Sequence, residues 1–460
     1  MARRKPRYLS RLLFFAVPAA MIFFGVASFR SGPPLAIEIR PSMPGIGKHT
    51  PVEISIDEPV RGLSRLRVEL VQGERIEMLE ERAYTPRAPW QFWGPRVPHE
   101  DMVVHVGSET IKGLKEGEAT IRVVADRASA WLRRPEPSSK ELTLSVKLRP
   151  PSLQVQSLHT YVSQGGSEAV VYRVGDTAIL DGVRAGEWWF PGYPLPGGGE
   201  RDRFALFSMP YDMEDASEIR LVTIDDVGNE ATASFIDRAA TQPIREDRIQ
   251  LSDSFMRRVV PQILDQTPEL EDKGDLLENY LSINGKLRQA NADTLKRLAK
   301  ASPPEFRWDK RFVPMRNGKV MSGFADRRTY TYNGQTVDQQ DHLGFDLAST
   351  SHAEIQASND GVVVQAGYFG IYGYCVVIDH GYGLLSLYGH LSSIAVEEGQ
   401  AVERYETLGR SGDTGLAGGD HLHFTILLHG LPVNPKEWWD AHWIHDRLKL
   451  KLGAALPFER

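Results

Sequence analysis

Apolar positions along the chain change period several times, and each period predicts a different element. Over residues 12–29 every residue except Ser28 is apolar or small. A helix of that length covers roughly 27 Å, enough to cross a bilayer core. Arg3, Arg4, Lys5, Arg7 and Arg11 precede it with no acid among them, an arrangement that keeps the basic end inside and sends the rest to the far side of a membrane. A single-pass anchor over 1–30 is expected in preference to a cleaved signal, the small residues Val26-Ala27-Ser28 being the feature that suits a signal peptidase. After the Gly32-Pro33-Pro34 break, apolar and polar residues alternate at 36–39, 52–56, 66–70, 120–124 and 142–146. Period two with turn residues between predicts half-buried strands, and a β-sandwich over 35–148. Pro150-Pro151 interrupts the pattern, and 169–172, 204–207 and 219–224 predict a second strand-rich module over 150–240. From Ser252 the period becomes helical, with Leu276, Tyr280, Ile283, Leu287, Leu295 and Leu298 compatible with one face. Two or three helices over 250–300 therefore connect the β modules to the C-terminal part, with Gly285 weakening the pattern in its middle.

Asp225-Asp226-Val227-Gly228-Asn229 resembles the last hairpin of bacterial immunoglobulin-like modules. The aromatic insert 188–194, with Trp188, Trp189, Phe190 and Tyr193, is expected to pack against a neighbouring domain rather than to stack on carbohydrate. Composition changes the picture in two respects. Lys and Arg total 54 against 60 Asp and Glu, a formal charge of −6, so there is no broad basic surface for nucleic acid. Cys375 is the single cysteine, so no intrachain disulfide or thiolate zinc site can form and any metal must be held by His and carboxylate.

Nine of the 13 histidines lie after residue 341. His342 and Asp346 stand four apart across Gly344, and His421 and His423 stand two apart in a strand-like run, where they project from one face. A third run, 384–390, ends in His390. Two imidazoles and a carboxylate make a three-ligand zinc site with an open fourth position, and further histidines can move protons or stabilise an oxyanion. Magnesium and calcium prefer more carboxylates.

With these residues assembled, the segment 320–440 resembles the M23 zinc endopeptidases, the lysostaphin and LytM-like peptidoglycan hydrolases. His342-x-Gly344-x-Asp346 is similar to the family's first metal motif and His421-x-His423 to its second. Residues 357–363, 372–381, 388–391 and 412–415 resemble its framework. The resemblance implies that His342, Asp346 and His423 bind Zn²⁺ and that His390 and His421 are catalytic. It also implies an antiparallel β domain, over 310–445, with a groove for extended peptide. This chain departs from the family pattern at Thr425, where Glu is frequent, in the loop Leu416-Ala417-Gly418-Gly419-Asp420, and near Cys375, where an Asn is usual.

The expected fold class is therefore multidomain and mainly β: an N-terminal membrane anchor, two immunoglobulin-like β modules, a helical connector and a C-terminal LytM-like peptidase domain. The expected function is zinc-dependent cleavage of the peptide cross-links of bacterial peptidoglycan, with its peptide stems as partner, by a single-pass inner-membrane protein with its bulk in the periplasm. A cell-envelope protein is the expected partner of the β modules. The alternative is a non-catalytic LytM-like scaffold that activates a cell-wall amidase, a class in which zinc ligands are lost. For the helices, a cover laid over the groove is expected in preference to a spacer, because an apolar face must bury against something. The hairpin turn Asn333-Gly334 is read as scaffold before substrate-gating flap, and His380, His442, His445 and Cys375 as structural residues.

Overall fold

Alternation in the first half of the chain produces two facing sheets. Strands Ala36–Pro41, Thr50–Asp57 and His99–Val106 form one. Gly45–Ile46, Ser138–Val146, Gly117–Arg127, Leu63–Gln72 and Arg75–Ala83, in that order, form the other. Val52, Ile54 and Ile56 from the first sheet and Leu66, Val68, Ile121 and Val123 from the second share one core, as every second residue of a strand must when one face is covered. The computed structural model describes residues 7–29, 32–91, 93–130 and 134–458. The chain divides into two compact units, 1–151 with 224–230, and 152–223 with 231–460. The turn after Asp225 belongs to the first unit. Asp225 Oδ1 accepts from the backbone N–H groups of Val227 and Asn229, Asn229 donates to the Lys147 carbonyl and Lys147 pairs with Asp226 at 2.7 Å. Residues 7–29 form a helix containing Pro18. Among the described residues no helix is long and apolar enough to cross a membrane, so the expected anchor over 1–30 finds no support there; its ends, 1–6 and 30–31, lie outside the described residues.

In the second unit a ten-stranded sheet runs from Lys319–Ser322 through Phe345–Ala348, Leu422–Leu428, Leu384–Ile394, Tyr374–Asp379 and Gly361–Tyr368 to Ala401–Val402, with three short strands paired off this path. Its pairings are antiparallel. The central strands are continuous apolar runs because both faces are covered. Cys375, Val377, Leu385, Leu387 and Leu427 face Leu295 and Ala299 of the helix Arg288–Lys300. Val376, Ile378, Leu384, Ile426 and Leu428 face a second core. Phe190, Phe204 and Phe207 belong to that second core together with Trp308, Phe312 and Trp438. The segment expected as a separate module over 150–240 thus shares its interior with the peptidase-like segment. The aromatic insert explains the union, since Phe190 is fully buried and the Tyr193 ring lies 4.8 Å from that of Tyr382. Cys375 is buried, and burial pushes its thiol pKa up, which fits an inert core side chain.

The connector forms helices Asp253–Gln266, Leu276–Ser282 and Arg288–Lys300, capped by Ser252 and Asp275 at the first two N-termini. A π-helical turn, Ile283–Leu287, falls where Gly285 interrupts the apolar pattern. Met256, Val260, Ile263 and Tyr280 pack with Tyr330 and Ile371. Arg258 pairs with Asp413 at 2.8 Å and donates to the Ala417 carbonyl. The strand Glu246–Gln250 runs parallel to Asp326–Tyr332, which forms a hairpin with Gln335–His342 across Asn333-Gly334.

The short helix Pro435–Trp439 carries a half-buried acid. Glu437 Oε2 accepts from the Ser167 backbone N–H at 2.7 Å. Burial outweighs that bond, and with the nearby Glu168 charge the Glu437 carboxyl is pushed up to about 8. A carboxyl raised in the folded state contributes stability that is full below its unfolded value and is lost as pH rises through the folded value. Glu437→Gln is therefore expected to melt with the wild type near pH 5 and at a higher temperature than the wild type at pH 8.5. Thermal melts across that window, with parallel curves as the contrary result, check this.

Candidate functional site

Strand register brings the histidines together. Asp346 lies directly opposite His423, and His423 lies opposite Gly389 on its other side; His390 follows Gly389 in the chain. His342 ends the hairpin strand Gln335–His342, and Gly344 lets the chain turn there, since a Cβ at that position would lie 2.7 Å from the His423 ring. His342, Asp346 and His423 offer ligand atoms that all lie within 4.8 Å of one another. The contacts are His342 Nε2 to Asp346 Oδ1 at 2.9 Å, His423 Nδ1 to Asp346 Oδ1 at 3.0 Å, and His342 Nε2 to His423 Nδ1 at 3.1 Å. His421 Nε2 lies 3.4 Å from the same carboxylate oxygen. The His390 ring centroid is 4.8 Å from that of His421 and 5.8 Å from that of His423. All five residues predicted from the sequence thus converge. A cavity of about 110 Å³ opens beside them, lined also by Arg288, Arg328, Ile371, Tyr372 and Leu416.

Hydrogen bonds on the outer edge of each ring fix which nitrogen faces inward. His342 Nδ1 donates to the Gly323 carbonyl at 2.7 Å, His390 Nδ1 to the Thr414 carbonyl at 2.8 Å and His421 Nδ1 to the Gly419 carbonyl at 2.7 Å. The Thr425 hydroxyl gives its proton to the Leu343 carbonyl, so it accepts from His423 Nε2 at 3.0 Å. Thr425, the departure from the family pattern, thus holds His423 as a ligand-orienting partner does. His342 Nε2 and His423 Nδ1 are left with lone pairs that face each other and a carboxylate oxygen. Three acceptors at such range repel unless a cation lies among them. Their separations approach the edge of about 3.3 Å that a tetrahedron with zinc–nitrogen bonds of about 2.0–2.1 Å would have. The donor set therefore fits a divalent metal that accepts imidazole.

Electrostatics agree with a charge-binding pocket. Burial pushes Asp346 up, but the imidazoles of His342, His421 and His423 around it outweigh burial and hold the carboxyl well below the usual range. Burial, then the neighbouring His421 and His423, hold His390 well below the usual imidazole value. Burial also lowers His423, to about 4, whereas the bond to Asp346 overcomes burial and raises His421.

Arg328 was not singled out from the sequence. Its Nη2 donates to Asp346 Oδ2 at 2.8 Å, on the opposite oxygen from the histidines. The signal was in the hairpin register: Asp326 pairs with His342 and Arg328 with Gln340, so Arg328 shares the His342 face one step along. His380 is bound instead to the Asp360 carbonyl and Ser386, and His442 is exposed beside Asp446; neither joins the cluster.

A His-Asp-His metal cluster with two further imidazoles beside it, on an antiparallel sheet, defines a metal-dependent hydrolase site. Residues 340–435 match the model of Peptidase family M23, and this part of the chain is an M23 peptidase domain. The chain is 32% identical over 169 residues to peptidoglycan DD-endopeptidase ShyA of Vibrio cholerae, a match covering 37% of this chain and 36% of that one. It is 42% identical over 94 residues to DD-carboxypeptidase/endopeptidase Mpg of Neisseria meningitidis, covering 20% and 22% of the two. The catalytic domain of the antimicrobial peptidase lysostaphin from Staphylococcus simulans aligns over 27% of this chain and 92% of that one, with 25% identity and a TM-score of 0.23. The matches thus span about a third or less of the curated relatives' length.

Proposed function

We propose that this protein is a zinc-dependent endopeptidase that cleaves peptide cross-links of bacterial peptidoglycan in the cell envelope. The observation that carries the reading is the pair of inward lone pairs on His342 and His423 around Asp346, inside a segment that matches Peptidase family M23. His342, Asp346 and His423 hold the metal, and Arg328 fixes the carboxylate from behind. Zinc bound there supplies Lewis acidity toward the scissile carbonyl and acidifies water toward neutral pH. His390 and His421 act on the substrate side. Each gives its Nδ1 proton to a backbone carbonyl, so each turns Nε2 inward. Those nitrogens orient the attacking water and, when protonated, stabilise the developing oxyanion. Left-handed backbone at His390, with φ of 63°, sets its ring against the 413–416 loop.

The name of the ShyA relative, a peptidoglycan DD-endopeptidase, supports peptidoglycan as substrate, and the scaffold alternative lacks the missing ligand that would favour it. The chain with saturating zinc is expected to convert purified cross-linked muropeptides to monomers, read by mass spectrometry. Intact cross-links at full metal occupancy would overturn the reading and favour a scaffold.

A further inference from the structure

A second, larger cavity of about 600 Å³ shares Arg288, His342, Tyr372 and His423 with the one that opens on the histidine cluster. An extended substrate crossing the cluster would lay one arm in it. Its cations are Arg288, Lys296 and Arg327, against Asp212 and Asp341. Arg327 is spent on Asp341, 3.3 Å away, which also accepts from the Tyr211 hydroxyl at 3.2 Å. Lys296 lies over the Trp188 ring at 4.6 Å.

Arg288 differs from both. Asp338 accepts from the Asn284 amide at 2.7 Å, and the buried Asn284 in turn accepts Arg288 Nη2 at 2.6 Å on its side chain and Nε at 3.1 Å on its backbone carbonyl. Those bonds lock the guanidinium without neutralising it. Among the described residues no carboxylate pairs with Arg288, and its Nη1 edge remains for a ligand. Arg328, the neighbouring cation of the smaller cavity, is already committed to Asp346. A fixed, unneutralised guanidinium at the junction of two cavities suits a planar carboxylate, which it can bind with charge-assisted hydrogen bonds.

We infer that Arg288 binds a free carboxylate on the substrate residue adjoining the scissile bond, and that the larger cavity receives this residue. The inference rests on the proposed peptidase function and adds a specificity determinant to it. Arg288 is a binding residue here and takes no part in the bond-breaking step.

The test uses the full chain at matched zinc content and two synthetic cross-linked peptides, identical except that the residue after the scissile bond carries either a free carboxylate or its carboxamide. The wild type is expected to favour the acid by roughly 10- to 100-fold in kcat/KM, the range of a lost charge-assisted hydrogen bond. Arg288→Gln is expected to cut both peptides at the wild-type rate for the amide. A wild type indifferent to the carboxylate would overturn the inference, and this comparison needs no variant to fold. An equal loss on both peptides in Arg288→Gln would also overturn it, by showing a purely structural role. Failure of the zinc-loaded wild type to cut either peptide would instead overturn the peptidase reading, and the inference with it.

Discussion

His423→Ala is expected to empty the metal site and abolish peptidase activity, while the purified wild-type chain binds about one zinc ion. The expectation follows from the three-atom cluster, in which removing one imidazole leaves two ligands and an open face. His342→Ala and Asp346→Ala should behave alike, and loss of Asp346 also leaves the largely buried Arg328 guanidinium without its carboxylate. Thr425→Val tests the outer bond that sets the inward nitrogen of His423. It should keep the ligands and weaken metal affinity by about 10- to 100-fold. Metal content by elemental analysis after dialysis, alongside circular dichroism, separates these outcomes from unfolding. Full occupancy in His423→Ala would show that the ligands lie elsewhere.

Replacement of His390 or His421 has the opposite signature. Neither is among the three mutually close ligand atoms, so zinc stays, while turnover falls by about two to four orders of magnitude, the scale of a lost proton-transfer or oxyanion-stabilising group. The two substitutions are not expected to add, because the rings lie 4.8 Å apart and act on the same reacting atoms. Steady-state rates on a cross-linked muropeptide, measured at verified metal content, decide the matter. A double variant as fast as the wild type would remove both residues from the mechanism.

The cluster was legible because its residues lie in short motifs whose spacing matches strand geometry: two-residue separation places His421 and His423 on one face, and the cross-strand pair of Asp346 with His423 completes it. The strands of the first two sheets were legible for the same reason of period. What the sequence concealed depends on long-range packing. Alternate residues of 375–378 serve two different cores, one against a helix and one against aromatic residues nearly two hundred positions earlier, and a continuous apolar run does not say which partner covers which face. The boundary drawn at Pro150-Pro151 coincides with the edge of the first unit, whereas those near residues 240 and 310 marked changes of local period inside one shared interior. Arg328 and Arg288 were hidden because a lone arginine on a strand or helix reads as solvated surface until its register is known.

The helix Arg288–Lys300 bears on what can be transplanted. Leu295 and Ala299 are the lid on the Cys375, Val377, Leu385 and Leu387 face of the sheet, and Asn291 accepts the Ile371 backbone N–H at 3.0 Å beside the site. A graft that begins at residue 301, well ahead of the segment that matches the family at 340–435, would carry every histidine of the cluster and still arrive with a bare hydrophobic wall. The portable unit is larger than the chemistry it contains, and exchanging this domain between proteins means exchanging the helix that precedes it.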